Sequence, residues 1–159
     1  MEFILELATN FALISAASGW IVAQIFKFCT GIFKIKKFSV KEFLFGTGGM
    51  PSSHTAAASA LSCACAIQYG LGSVSFAISA VLMMIVMRDA MGMRRQVGEH
   101  AKALNLIFQE LVEAKNDKNL TQKALDELAG HTPLQVFAGL LVGIVVPFLI
   151  AMLPAFNLL

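Results

Sequence analysis

Four long apolar stretches constrain this chain more than any other feature of its sequence. Of its 159 residues, 57% are hydrophobic and 14% are charged, and its mean hydropathy of +0.74 exceeds what one soluble core can bury. A membrane-spanning helix needs about 20 apolar residues, so this length allows a few crossings and no separate soluble catalytic domain. The predicted spans are residues 4–28, 51–69, 73–87 and 133–153.

We therefore predict an all-α integral membrane protein in which residues 1–159 form a single domain, a four-helix transmembrane bundle. The second stretch is rich in alanine and serine, and such a helix packs closely against its neighbours. Gly70 and Gly72 predict a tight turn, so the second and third spans should form an antiparallel hairpin. The three cysteines are interpreted as small packing residues.

The positions of the positive charges predict the orientation of the bundle. All 12 lysines and arginines lie in two segments, residues 27–41 and 88–123. With four crossings these segments share one side of the membrane, and the positive-inside rule makes that side the cytoplasm. Both termini should then lie outside. The net charge of +2 is too small for a nucleic-acid-binding protein.

Residues 88–132, between the third and fourth spans, are predicted to form a cytoplasmic amphipathic helical hairpin. Thr121 and Gly130 suit the start and the end of its second helix. The apolar stripe of the first helix either packs on the bundle or the lipid interface, or forms a lid or a dimer contact. The stripe consists of Val97, Ala101, Leu104, Phe108 and Leu111.

The string Gly-Gly-Met-Pro-Ser-Ser-His-Thr at residues 48–55 reads as a phosphate-binding helix start. Its glycines let the backbone approach a ligand closely, and Pro51 suits a first helical turn. Free N–H groups there, with the hydroxyls of Ser52 and Ser53, can bind an anion beside His54. The alternative is a well-capped helix whose histidine is merely interfacial.

A second string, residues 88–95, begins where the third span leaves the membrane on the same side. Arginine binds phosphate oxygens bidentately, so Arg94 and Arg95 are candidate phosphate ligands. Asp89 can orient a guanidinium or a histidine. An ordinary cluster of positive charges on anionic headgroups is the alternative interpretation.

A third string places His131 just before the start of the last span. Two histidines at separate helix starts on one membrane face suit phosphoryl transfer, one as nucleophile and the other as proton donor. Lys27, in the last turn of the first span, can add to the phosphate clamp. The sequence has no carboxylate cluster suited to Mg²⁺ and no Cys/His set suited to zinc, so we expect a mechanism without metal or cofactor.

Taken together, these strings resemble the divergent bacterial branch of the type 2 phosphatidic acid phosphatase superfamily, which is related to acid phosphatases and vanadium-dependent haloperoxidases. The resemblance covers nearly the whole chain and implies a bacterial inner-membrane enzyme that binds membrane lipids. The matching strings are residues 49–54, 89–95, 101–105 and 130–133.

By this resemblance, His54 is the general acid that protonates the leaving oxygen. His131 matches the histidine that attacks phosphorus and carries a phosphohistidine, which water then hydrolyses. Lys27 matches the lysine of the first motif of the superfamily.

The chain departs from the superfamily pattern at two informative positions. Leu125 stands where an arginine is usual, so Arg94 or Arg95 is expected to supply that charge. Gln135 stands where an acid usually orients the nucleophilic histidine. A neutral amide can accept the same hydrogen bond but stabilises an imidazolium less. Either Asp89 takes over the orienting role or turnover is slow.

The resemblance implies a lipid phosphate as substrate, with phosphatidylglycerophosphate as the leading choice for a cytoplasmic site. A polyprenyl diphosphate is the alternative substrate. The alternative from another class is a non-catalytic protein that binds lipid headgroups or transports a lipid. Because the four spans of one chain would enclose the site incompletely, we also expect a homodimer.

Overall fold

The computed structural model describes residues 2–31, 50–115 and 131–156, and within these ranges it is helical with no β-strand. This confirms the all-α prediction for the described part of the chain. The predicted Thr121 cap and Gly130 helix end, and also Leu125, lie outside the described residues. The helices are α1 (Glu2–Ala8), α2 (Phe11–Gly31), α3 (Ser53–Tyr69), α4 (Val74–Met91), α5 (Met93–Lys115) and α6 (Pro133–Ala151).

Three helical stretches in the described residues are long and apolar enough to cross a membrane: Phe11–Thr30, Val74–Leu111 and Pro133–Ala151. The second of these runs over α4 and most of α5, and its apolar part is α4. With 17 residues, α3 is shorter than these three. Three of the four predicted spans therefore match helices of sufficient length and hydropathy, and a crossing by α3 stays a prediction.

Two predicted spans differ from the observed helices at their ends. The first stretch is interrupted after Ala8, because the Thr9 hydroxyl donates to the Leu5 carbonyl at 2.9 Å and the Asn10 side chain accepts from the Leu13 N–H at 3.0 Å. Such local bonds compete with a continuous helix and favour a new N-terminus. The third stretch continues past residue 87 to Met91, since a fall in hydropathy marks where a helix leaves the bilayer and not where it ends.

Helix α3 is the centre of the bundle, because α2, α4 and α6 all pack against it and α2 also packs against α6. The approach of α6 is very close. A Cβ atom added at Gly143 would lie 2.5 Å from the Ala56 carbonyl oxygen and 2.5 Å from the Ser59 Cβ. One added at Gly139 would lie 2.5 Å from the Ser52 carbonyl oxygen. The prediction that this small-residue helix packs backbone-close is confirmed.

Substituting Gly143→Ala is expected to lower the free energy of unfolding by about 1–3 kcal/mol, because the new methyl meets backbone atoms that cannot move aside. Val145→Ala, on the exposed side of the same helix, is the control and should change stability by about 0.5 kcal/mol or less. Thermal unfolding in detergent measures both. Equal stability of the two variants would contradict the close packing of α3 and α6.

The turn between α3 and α4 is the predicted hairpin. Gly70 has φ +81°, a backbone conformation that L side chains rarely adopt. Ser73 then caps α4, because its hydroxyl oxygen accepts from the Phe76 N–H at 3.2 Å. The two helices pack against each other.

Helix α5 follows α4 after Gly92 and is amphipathic as predicted. Of its apolar stripe, Ala101 is buried, whereas Val97, Leu104 and Leu111 are each more than half exposed. Packing on α4 therefore covers only one edge of the stripe.

The end of the bundle remote from α5 is closed by apolar packing. Phe11, Ala64 and Ala151, from α2, α3 and α6, form one buried cluster. The Phe11 ring also lies against the Phe156 ring, with centroids 5.3 Å apart. The polar helix ends that carry the candidate site lie at the opposite end of α3.

Candidate active site

The start of α3 is built around Ser52, which is fully buried. Its hydroxyl oxygen accepts from the Thr55 N–H at 3.4 Å and from the Thr55 hydroxyl at 3.0 Å, so Ser52 is the N-cap. Ser53 is buried beside it, and His54 is exposed. The peptide bond between Met50 and Pro51 is cis. The first turn of α3 thus presents His54 outward from a rigid, serine-capped start.

The start of α6 holds His131 through a capping box. Thr132 is the N-cap, and the Gln135 amide oxygen accepts from the Thr132 N–H at 2.9 Å. The same amide oxygen lies 3.3 Å from His131 Nδ1. Gln135 therefore both caps the helix and contacts the imidazole.

This geometry favours one tautomer of His131. The atom that accepts from the Thr132 N–H must be the amide oxygen, which has no hydrogen to donate. Nδ1 of His131 must then carry the proton in their hydrogen bond, which leaves a lone pair on Nε2. His131 is only 8% exposed, so its ring is held in place by packing as well. A buried imidazole whose Nε2 carries the lone pair can act as a nucleophile.

Three hydrogen bonds connect the strings that the sequence analysis singled out. The Ser52 N–H donates to the Gln135 carbonyl at 3.0 Å, which joins the starts of α3 and α6. The His131 N–H donates to the Ala90 carbonyl at 3.0 Å, which joins α6 to the end of α4. The Thr30 hydroxyl donates to the Met50 carbonyl at 3.0 Å, which ties in the end of α2. Four separate parts of the sequence thus meet in one place.

The structure describes the side chains of some predicted site residues and not of others. Asp89 is partly buried next to Ala90, and Lys27 is half-buried one turn before Thr30. The side chains of Arg94 and Arg95 lie outside the described residues, although both belong to α5. Their role as phosphate ligands therefore stays a prediction, as does the proposed role of Asp89.

Several features of the site were not predicted from the sequence. The sequence assigned no role to Thr30 or Thr55, yet their hydroxyls bond to the Met50 carbonyl and to the Ser52 side chain. The Ser52 hydroxyl oxygen accepts a hydrogen bond from the Thr55 hydroxyl. To bind phosphate as predicted, Ser52 would donate its own hydroxyl proton. The Thr-Pro-Leu-Gln string is a recognisable capping-box signal for α6.

Two helix N-termini meet here, since Ser52 and Gln135 are hydrogen-bonded to each other at the starts of α3 and α6. Each N-terminus carries a partial positive charge of about half an elementary charge. The pair favours an anion at this end of the bundle. Among the described residues, no group of three or more His, Cys, Asp or Glu could hold a metal ion.

Comparison with known proteins agrees with the resemblance seen in the motifs. Residues 8–146 match the sequence profile of the Divergent PAP2 family. The chain is also 40% identical over 155 residues to the Uncharacterized membrane protein YuiD of Bacillus subtilis (strain 168), an alignment covering 92% of this chain and 98% of that relative. No solved structure matches significantly.

The described residues form a helical membrane protein with one histidine at the start of each of two helices. The chain belongs to the Divergent PAP2 family.

Proposed function

We propose that this protein is a metal-independent lipid phosphate phosphatase that acts through a phosphohistidine on His131. The observation that carries the proposal is the hydrogen bond network that brings His131, the start of α3 and the end of α4 together. Membership of the Divergent PAP2 family supports phosphatase chemistry in general. The substrate and the roles of single residues are inferred from the site.

In the first step, His131 Nε2 attacks the phosphorus atom and the bond between phosphorus and the lipid oxygen breaks. His54 donates a proton to that oxygen, so the lipid leaves with a neutral hydroxyl group. In the second step, water attacks the phosphohistidine and His54 accepts its proton. Inorganic phosphate is released and His131 returns to its starting state.

The negative charge that develops on the phosphoryl oxygens is stabilised by groups around the two helix starts. We assign this role to Lys27, Ser52, Ser53 and the N–H groups of the helix N-termini, with Arg94 or Arg95. Asp89 orients one of the positive groups.

We further propose that α3 completes a four-crossing topology with both termini outside and the site at the cytoplasmic face of a bacterial inner membrane. Phospholipid intermediates are made on that face, which favours phosphatidylglycerophosphate. A homodimer, which native mass measurement would detect, is part of the same proposal.

The test is phosphate release by purified protein in detergent with a chelator present. Phosphatidylglycerophosphate, phosphatidic acid and undecaprenyl diphosphate are compared at equal surface concentration. We expect release from all lipid monophosphates and the highest kcat/KM for phosphatidylglycerophosphate. Tight binding of the lipids without release from any of them would instead identify a headgroup-binding protein, the alternative to which the neutral Gln135 amide points.

Gln135 offers a second prediction, because its side chain can be changed without changing its size. Gln135→Leu removes the acceptor for His131 Nδ1 and for the Thr132 N–H. We expect kcat/KM to fall on the order of 10²-fold and stability to fall by about 1 kcal/mol. Gln135→Glu keeps the acceptor and adds a charge that stabilises the imidazolium, so kcat/KM should stay level or rise.

Comparing the two variants separates an effect on the orientation of His131 from a general disturbance of the start of α6. Thermal unfolding is measured alongside kcat/KM, because it reports how much the loss of the cap destabilises each variant. If leucine and glutamate lower kcat/KM to the same extent, Gln135 does not position His131.

A further inference from the structure

One face of α3 is recessed but not buried. His54, Ala57 and Leu61 are spaced by three and four residues, so they lie on the same face of the helix. Ala57 and Leu61 are half-buried, whereas Ile78 and Ile85 on the outward face of α4 are 65% and 61% exposed. Ala57 and Leu61, which form the floor of this face, are therefore less accessible than the outward positions of α4.

The walls of this cleft are α2 and α4. Ala60, to one side of the floor, faces α2, because a Cβ added at Gly19 would lie 2.9 Å from the Ala60 Cβ. Ala58, to the other side, is buried, and α4 is the remaining helix that packs there. Among the described residues, α2 and α4 both pack on α3 but make no comparable contact with each other. The cleft over the floor thus opens sideways between them.

The cleft has a polar end and a closed apolar end. His54 stands at the first, and the site with His131 lies at the same end of α3. At the other end Ala64 is fully buried in the cluster with Phe11. His54 and Ala64 are ten positions apart, which corresponds to about 15 Å at the helical rise of 1.5 Å per residue.

We propose that this cleft binds one hydrocarbon chain of the lipid whose phosphate is hydrolysed at His131. The proposal rests on the proposed function. Its occupant follows from the apolar floor, the sideways opening toward the bilayer and the continuity with the histidine at the polar end. The small side chain of Ala57 leaves the space that the chain fills. Ala57 and Leu61 are thus specificity-determining residues, and the cluster with Phe11 limits the depth to which a chain enters.

The functional test compares a lipid phosphate with long acyl chains and a water-soluble analogue with short chains. Ala57→Trp and Leu61→Trp fill the cleft. We expect each to lower the ratio of the long-chain to the short-chain kcat/KM about tenfold, equivalent to about 1.4 kcal/mol. Ile85→Trp, on the outward face of α4, adds the same side chain outside the cleft and should leave the ratio unchanged. An unchanged ratio in both cleft variants would overturn the proposal.

A second measurement does not depend on turnover and therefore separates this proposal from the proposed function. Phosphatidic acid with a photoactivatable group in one acyl chain is cross-linked to the full chain in detergent, and the modified residues are mapped. We expect adducts on the segment 57–61 that are lost in Ala57→Trp. Adducts spread equally over outward positions such as Ile78 and Ile85 would show ordinary contact with bulk lipid and would overturn the proposal.

Discussion

Substituting His131→Ala is expected to reduce phosphate release on the order of 10⁴-fold, to the level of a preparation without the protein. The substitution removes the atom that attacks phosphorus in the proposed mechanism. The measurement is kcat/KM with phosphatidylglycerophosphate in detergent. The concentration used is that of folded protein.

The matched control is His100→Ala, which removes the same side chain from an exposed position on α5. It should leave kcat/KM unchanged. The backbone bond from residue 131 to the Ala90 carbonyl survives the first substitution, so a folded His131→Ala protein is expected. If that protein keeps activity within tenfold of the unmodified chain, His131 is not the nucleophile.

The second large effect is expected from His54→Ala, and it depends on the leaving group. A lipid alcohol leaves poorly without a proton, so loss of the general acid should lower kcat on the order of 10²- to 10⁴-fold. An aryl phosphate such as p-nitrophenyl phosphate has a good leaving group and needs little protonation. Formation of the phosphohistidine from that substrate should therefore be almost unaffected.

Burst kinetics with p-nitrophenyl phosphate measures this difference. The burst of nitrophenol reports formation of the intermediate, and the steady rate reports its hydrolysis. For His54→Ala we expect a preserved burst and a slow steady rate, because the same imidazole accepts the proton of the attacking water. If His54→Ala lowers the burst equally with the aryl and the lipid substrate, His54 binds phosphate and does not transfer a proton.

The convergence of the site could be predicted from the sequence, because each string sits at a helix end and topology places those ends together. Pro51 with Ser52 and Ser53 indicates the start of α3. Thr132 with Gln135 indicates the start of α6. The predicted spans and the positions of the lysines and arginines predict that these ends share one side of the membrane. The observed bonds from Ser52 to Gln135 and from His131 to Ala90 connect the segments that this reasoning brought together.

Other features depend on tertiary contacts and were not predictable. The central position of α3 follows from how Gly139 and Gly143 let α6 approach it, and one sequence does not reveal which helix a glycine faces. The interruption between α1 and α2 rests on side-chain bonds of Thr9 and Asn10 within an otherwise apolar stretch. The Gln135 amide oxygen contacts both the Thr132 N–H and His131 Nδ1. The second contact depends on where the imidazole ring lies, which the sequence does not give.

The central claim is that phosphate becomes attached to His131 during turnover. In His54→Ala protein mixed with radiolabelled p-nitrophenyl phosphate, slow hydrolysis should let the intermediate accumulate. After quenching in base, which preserves phosphohistidine, peptide mapping should place close to one acid-labile phosphate per protein on His131, and none in the variant that also carries His131→Ala. Absence of protein-bound phosphate, or label on another residue in both variants, would contradict the mechanism.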